Sequence, residues 1–482
     1  MATRSLSCLS TLAVLATTAR AHGHHPETIP EGSAISAEPI DSILWIHILI
    51  QMVAWGIVFP AGMVLGIVRS RLHVPVQIFG TVLAVVGYFL GHAHKGRQFA
   101  HPNAHASFAT WLMLMLIAQI GLGVYLKLHI ARGFMGKIRN VLVVVHGVLG
   151  KAMPVAAWVQ MLFGGIVSLG FCRGEGDHTG QCLAHFIMGS AFIAYGILLT
   201  IALLVGQLWI RRTGRSQEFF DSVVIAAWGC VNTFTEHRWG GPWVHNDLQH
   251  TSMGIIWWCA GLAGVWLSRD KHGRPKRNFI PGFVILLTGW AMSGHPQALP
   301  LSTMVHTIFG YTLMAAGLAR IIEVSFILSD RISITEDGEE QNSFQFIAPF
   351  LLYASGFLFM GATEEQMQLL SDAGVTHVAY ILILYSIAFL LFLLVNMLLR
   401  LYTYYADSDA NSKPVDPEYS QLNGHASNGR PVNGGHHSQM PSQQDAAIRD
   451  AEEFELDGLM TDDEDEVVAH KHQPNGNAPR LA

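Results

Sequence analysis

The sequence predicts an all-α protein that crosses a membrane many times, and three observations predict it. Charged residues make up only 13% of the 482-residue chain and hydrophobic residues 51%, whereas soluble domains carry about 25% charged residues. The apolar residues gather into about eleven runs of bilayer-spanning length between Ser42 and Leu401. Lys and Arg concentrate in alternate loops between those runs, the charge bias of a polytopic membrane protein. No long soluble stretch remains to carry a large catalytic site of its own. The lipid bilayer is the first partner this composition implies, and nucleic acid is not among those expected.

Residues 1–21 read as a secretory signal: Arg4, an apolar stretch from Leu12 to Ala16, then Ala19-Arg20-Ala21 as a small-x-small cleavage site. Residues 22–41 form a luminal His-rich leader. Its His22-Gly23-His24-His25 is either a mobile metal-capturing arm or a short solvated segment. The expected spans are 42–68, 75–91, 105–127, 141–170, 184–210, 219–235, 249–268, 279–294, 301–328, 345–361 and 375–400. Residues 42–170 make a four-helix bundle, 171–215 a linker loop and fifth span, and 216–401 a C-terminal membrane domain. The sixth span is short and carries Asp221, with Asn232 and Glu236 near its end. Arg320 and Glu323, three apart in the ninth span, read as a structural ion pair.

Sidedness follows from the loops. Arg69 and Arg71; Lys127, Arg132, Lys137 and Arg139; Arg211, Arg212 and Arg215; Arg269, Lys271, Arg274, Lys276 and Arg277; and Arg331 fall on one side. Lys95, Arg97, Arg173 and Arg238 fall on the other. The richer side is cytosolic by the positive-inside rule. The N-terminus is then luminal or extracellular, as a signal peptide requires, and the chain belongs in a membrane of the secretory pathway: plasma membrane, vacuole or endoplasmic reticulum. Cys172 and Cys182 flank a loop on the oxidising side, where a bridge can form. Cys230 and Cys259 read as packed thiols. Residues 402–482 are a polar, acidic cytosolic tail that cannot bury enough apolar surface to fold alone. Glu453-Phe454-Glu455-Leu456 within it is either an adaptor-binding signal or part of a solvated spacer.

Four histidines stand near the starts of the first four spans: His47, His73, His105 and His146. Because spans alternate in direction, His47 and His105 lie toward the lumen and His73 and His146 toward the cytosol. Two facing pairs, one per leaflet, are what a bundle needs to hold two b-type haems, since neutral imidazole suits iron and bundle ligands come from facing helices. Small residues that could line such a gap occur in Gly121-Leu122-Gly123, His146-Gly147-Val148-Leu149-Gly150 and Gly164-Gly165. Lys151, little more than a turn from His146, is placed to meet a haem propionate or an anionic electron donor, or to snorkel to the interface.

Ile46-His47 followed by Ala54-Trp55-Gly56-Ile57-Val58-Phe59-Pro60-Ala61-Gly62 resembles the first core helix of cytochrome b561 proteins. Arg71-Leu72-His73-Val74, Ala104-His105-Ala106 with Gln119 and Gly121, and His146-Gly147 with Gly150 resemble the next three. The resemblance implies that the four histidines are axial ligands of two haems b. It also implies transmembrane electron transfer, with ascorbate as donor and monodehydroascorbate or ferric iron as acceptor. The segment Gly91-His92-Ala93-His94-Lys95-Gly96-Arg97, with His101, departs from that pattern. The whole chain resembles the fungal Ytp-type integral membrane proteins, through His237-Arg238-Trp239-Gly240-Gly241-Pro242-Trp243, Asp247-Leu248-Gln249-His250-Thr251 and Thr288-Gly289-Trp290-Ala291-Met292.

A second constellation lies in the C-terminal half. His237, His245, His250, His295 and His306 all fall on the luminal side, with Asn246, Asp247, Glu364, Glu365 and His377 on the same face. They read either as a Zn, Cu or Fe site or, with Trp239 and Trp243, as an interfacial belt. Two functions follow. One is electron transfer through two haems from a cytosolic small-molecule donor to a luminal acceptor such as a metal ion. The other is non-haem binding or transport of a transition metal. A third reading makes the chain a scaffold or trafficking protein working through its tail.

Overall fold

A computed structural model describes residues 38–99, 102–128, 134–172, 177–237, 242–243, 245–294, 297, 299–328 and 341–412. The signal, the His22–His25 segment, His101, Arg238 to Gly241, His295, Arg331 and the acidic tail lie outside the described residues. Among the described residues every regular element is a helix. In chain order they are α1 (Ser42–Ile67), α2 (His73–Ala93), α3 (Ala104–Lys127), α4 (Phe134–Leu169), α5 (Asp177–Leu204) and α6 (Gln207–Arg212). Then follow α7 (Gln217–Thr235), α8 (His245–Leu267), α9 (Ile280–Ser293), α10 (Pro300–Ile322), α11 (Ile347–Met360), α12 (Glu364–Asp372) and α13 (His377–Ser412).

A helix stands at each of the eleven expected spans. Eight are long and apolar enough to cross a membrane: α1 to α5, α10, α11 and α13. The other three differ for visible reasons. α9 has 14 residues, short of the roughly 20 a span needs. α7 opens on Glu218 and Asp221, and α8 on His245-Asn246-Asp247. The protein is thus an integral membrane protein of helices. Side chains such as Trp266, 84% exposed, and Phe326, 76% exposed, are the lipid-facing surface that a bilayer tolerates and water does not.

The described residues divide into two compact units, those up to Leu116 with Lys151–Tyr405, and Ile117–Gly150 with those from Ala406 onward. In the first, Asp41 caps α1: its carboxylate accepts from the N–H of Leu44 at 2.9 Å and of Lys95 at 3.0 Å. These backbone donors, Lys95 foremost, hold Asp41 below the usual carboxylate range. The cap ties the start of α1 to the end of α2. At mid-length α1 widens into a π-turn over Ala54–Val58. Pro60 explains it, because proline has no N–H to give the carbonyl four residues back. Trp55 in that turn is buried, donates to Gln51 at 3.1 Å, and Gln51 donates onward to the Ala84 carbonyl of α2 at 3.2 Å.

The largest core is C-terminal, where α5, α10, α11 and α13 meet around Phe309, Leu313, Tyr353 and Leu358. α7 packs on α8, and α9 on α10, backbone against backbone. A Cβ on Gly254 would come 2.7 Å from the Thr233 nitrogen, so glycine is what permits the approach. The parts of α3 and α4 within this unit have no comparably close partner. Only 11% of the apolar window in each of these two helices is buried, against 61% for α11. Cys172 and Cys182 form a disulfide joining the end of α4 to α5, with Cα atoms 5.1 Å apart. Cys259 corrects the expectation of a packed thiol: it is exposed on the outer surface of α8, while Cys230 is half-buried.

Candidate functional site

α1 and α3 bring His47 and His105 together. Their ring centroids are 6.3 Å apart and the planes stand at 89°. Each ring is held from behind by a neighbouring helix. His47 Nδ1 lies 2.6 Å from the Gly87 carbonyl of α2. A carbonyl only accepts, so Nδ1 carries the proton and Nε2 keeps its lone pair. His105 Nδ1 lies 3.2 Å from the Gln160 carbonyl of α4 and 2.9 Å from that residue's side-chain amide. The same amide donates to the His105 carbonyl at 3.0 Å. Gln160 therefore brackets the ring.

Glycines give the rings their room. A Cβ on Gly91 would sit 2.7 Å from His47 Cε1, and one on Gly164 3.1 Å from His105 Cε1. On Gly165, next in the chain, a Cβ would meet nothing within 4 Å. At the opposite end of α2, His73 repeats the arrangement: its Nδ1 lies 2.7 Å from the Gly62 carbonyl, and a Cβ on Gly66 would approach that nitrogen to 2.7 Å. His146 belongs to the second unit. There Gln119 donates to its carbonyl at 3.0 Å and Gly123 faces its ring. Lys151 is exposed on α4.

Three of the C-terminal histidines have described side-chain contacts. His237 Nδ1 lies 2.9 Å from Asp247 Oδ2, and the ring stacks on Trp243 at 3.8 Å between centroids, 7° from parallel. His250 lies 3.4 Å from Glu236. His306 is buried and its Nδ1 is 2.9 Å from the Ser302 carbonyl, one turn back. The side chain of His245 and the whole of His295 lie outside the described residues. Among the described residues no three His, Cys, Asp or Glu side chains converge as a metal ion would need.

Sequence reasoning missed His185. It is buried on α5, its ring 5.9 Å from that of His306 at 88°, with Phe359 stacked on it at 4.7 Å. The signal was available: His185 stands at the start of the fifth apolar run, where the first four histidines stand in theirs. Also missed was the full extent of a buried charge cluster around Glu218, of which the sequence showed only Asp221 and the Arg320–Glu323 pair.

The description "Protein YTP1-like, C-terminal" matches residues 156–403, more than half of the chain, and "Domain of unknown function (DUF2427)" matches residues 27–129. The chain is 46% identical over 261 residues to "Protein YTP1" of Saccharomyces cerevisiae, covering 54% of this chain and 55% of that one. It is 23% identical over 452 residues to "Uncharacterized membrane protein C3B8.06" of Schizosaccharomyces pombe, covering 68% of this chain and 88% of that one. A second Saccharomyces cerevisiae relative, "Uncharacterized membrane protein YCR061W", is 25% identical over 280 residues, covering 48% of this chain and 44% of that one. No solved structure matches.

Proposed function

The chain belongs to the YTP1-like family of membrane proteins, and from that premise we propose that it is a b-type haem protein carrying electrons across its bilayer. The donor is an ascorbate-like small molecule on the cytosolic side, and the acceptor is luminal, such as a metal ion. One observation carries the reading: the His47 and His105 centroids are 6.3 Å apart. Two imidazoles this close would suit the paired nitrogen ligands of a haem iron. When bound, the haem supplies reversible one-electron chemistry at its iron.

The rest is work for the chain's own residues. The Gly87 carbonyl fixes the His47 tautomer that can ligate, as ligand histidines require of their outer partners. Gly91 and Gly164 keep Cβ atoms away from the two rings. The cytochrome b561 resemblance implies a second haem on His73 and His146, and Lys151 would offer a positive charge to a propionate or an anionic donor. The test is electron transfer in proteoliposomes, with ascorbate enclosed and a membrane-impermeant ferric complex outside. Reduction well above that of protein-free vesicles, and lost in His47→Leu, is expected. A rate equal to that of protein-free vesicles would overturn the reading.

The second reading, non-haem binding of Zn, Cu or Fe, has one observation in its favour: the approach of His185 and His306 to 5.9 Å. It expects stoichiometric metal in the purified protein that is lost in His185→Leu, and flux into vesicles without an electron donor.

A further inference from the structure

One end of the C-terminal membrane domain holds five buried ionisable side chains in contact. Glu218 and Asp221 stand in the first turns of α7, Arg320 at the end of α10 with Glu323 just after it, and Arg277 in the segment before α9; none is more than 9% exposed. Glu218 Oε1 accepts from Arg277 Nη1 at 2.7 Å and from Arg320 Nη2 at 2.8 Å. Arg320 Nη1 lies 2.7 Å from Glu323 Oε2, and Nη2 lies 3.8 Å from Asp221 Oδ2. Two neutral groups complete the surroundings. Tyr195 of α5 donates its hydroxyl to Asp221 Oδ1, and Gln345, from the turn before α11, donates to Glu323 Oε1 at 3.1 Å.

The charges do not balance. Among the described residues three carboxylates face two guanidiniums, and guanidinium stays charged. Full ionisation would leave one uncompensated negative charge buried in a membrane protein, an arrangement strongly disfavoured. A second observation marks the same deficit: Glu218 Oε2 is buried and accepts no hydrogen bond. The site lacks one positive charge. A metal cation would need a cage of several oxygens and would meet two guanidiniums. A proton needs neither. Beside the cluster lies a cavity with about 30 Å³ of water-accessible space, lined by Gln207, Gln217, Arg277, Arg320, Glu323 and Gln345. That is room for about two waters, and of the three carboxylates Glu323 stands on its wall.

We propose that Glu218, Asp221 and Glu323 together bind one exchangeable proton, carried mainly by Asp221, whose nearest guanidinium is the most distant of the three. Arg277 on the cavity wall stands in a loop that the Lys/Arg asymmetry assigns to the cytosol, so the proton comes from that side. The C-terminal domain then holds, within the membrane, the titratable charge that proton-coupled transport requires. This inference is independent of haem.

The test is infrared spectroscopy of the full-length protein in lipid nanodiscs at neutral pH, reading the carbonyl stretch of protonated carboxyl groups. The wild type should show such a band, shifted on exchange into heavy water. Asp221→Asn and Glu218→Gln each bring the cluster to neutrality without a proton, so each should lose the band. Glu323→Gln substitutes if either fails to fold. Tyr195→Phe keeps the charge count, so the band should remain and move in frequency. A wild type without an exchangeable band, or a band that survives both charge-removing substitutions, would overturn the proposal.

Discussion

A methyl group at Gly91 would press on His47 Cε1 from 2.7 Å, while one at Gly165 would meet nothing within 4 Å. Gly91→Ala should therefore lower haem content and leave the helix intact, and Gly165→Ala should change neither; haem per chain by pyridine haemochrome reads both. Removing a ligand is more drastic. His47→Leu or His105→Leu should take the protein from two haems per chain to one, because the proposal gives the second haem to His73 and His146. Retention of both haems in either variant would detach these histidines from the site. At this scale the sequence was informative where a histidine interrupts the start of an apolar run. It was silent on second partners: nothing in the spacing says that Gln160 brackets His105 or that Gly87 holds His47. His185 shows a different gap, since it satisfies the positional rule and owes its setting to Phe359 and His306, distant in the chain.

At the scale of elements, the bridge between α4 and α5 closes a short loop of 10 residues' separation. Loop-closure entropy gives such a crosslink about 2–3 kcal/mol. Cys172→Ser should cost about that much, read as a lower melting temperature of the detergent-solubilised protein, and reductant should lower the wild type to the same value. A wild type indifferent to reductant would show that the bridge does not contribute. Helix positions were legible because apolar runs of about 20 residues have few alternatives. Interruptions were less so. The π-turn at Ala54–Val58 follows from Pro60, a local cause the sequence displays. The polar opening of α7 depends on Arg277 and Arg320, which reach Glu218 across 59 and 102 positions of chain. Hydropathy along one run cannot see partners that far away, so a charge that reads as an obstacle to burial is in fact buried and bonded.

For the whole molecule, the alternation of Lys and Arg among the loops predicts a cytosolic tail and a luminal Cys172–Cys182 bridge. Protease added to sealed, right-side-out vesicles should leave an epitope at residue 482 intact; its removal would invert the orientation and with it the direction of electron flow. The membrane class and the family were both legible from composition and short motifs, and the helical model and the family match agree with them. Whether the five C-terminal histidines act together was not legible, because convergence is a property of the fold; among the described residues His237, His250 and His306 go to different partners. The central claim is that this chain carries haem on paired histidines. A reduced-minus-oxidised absorption spectrum of the purified protein, with haem counted per chain, tests it most directly. The account expects a b-type, bis-histidine spectrum at two haems per chain, and a folded protein that contains no haem after expression with haem in excess would contradict it.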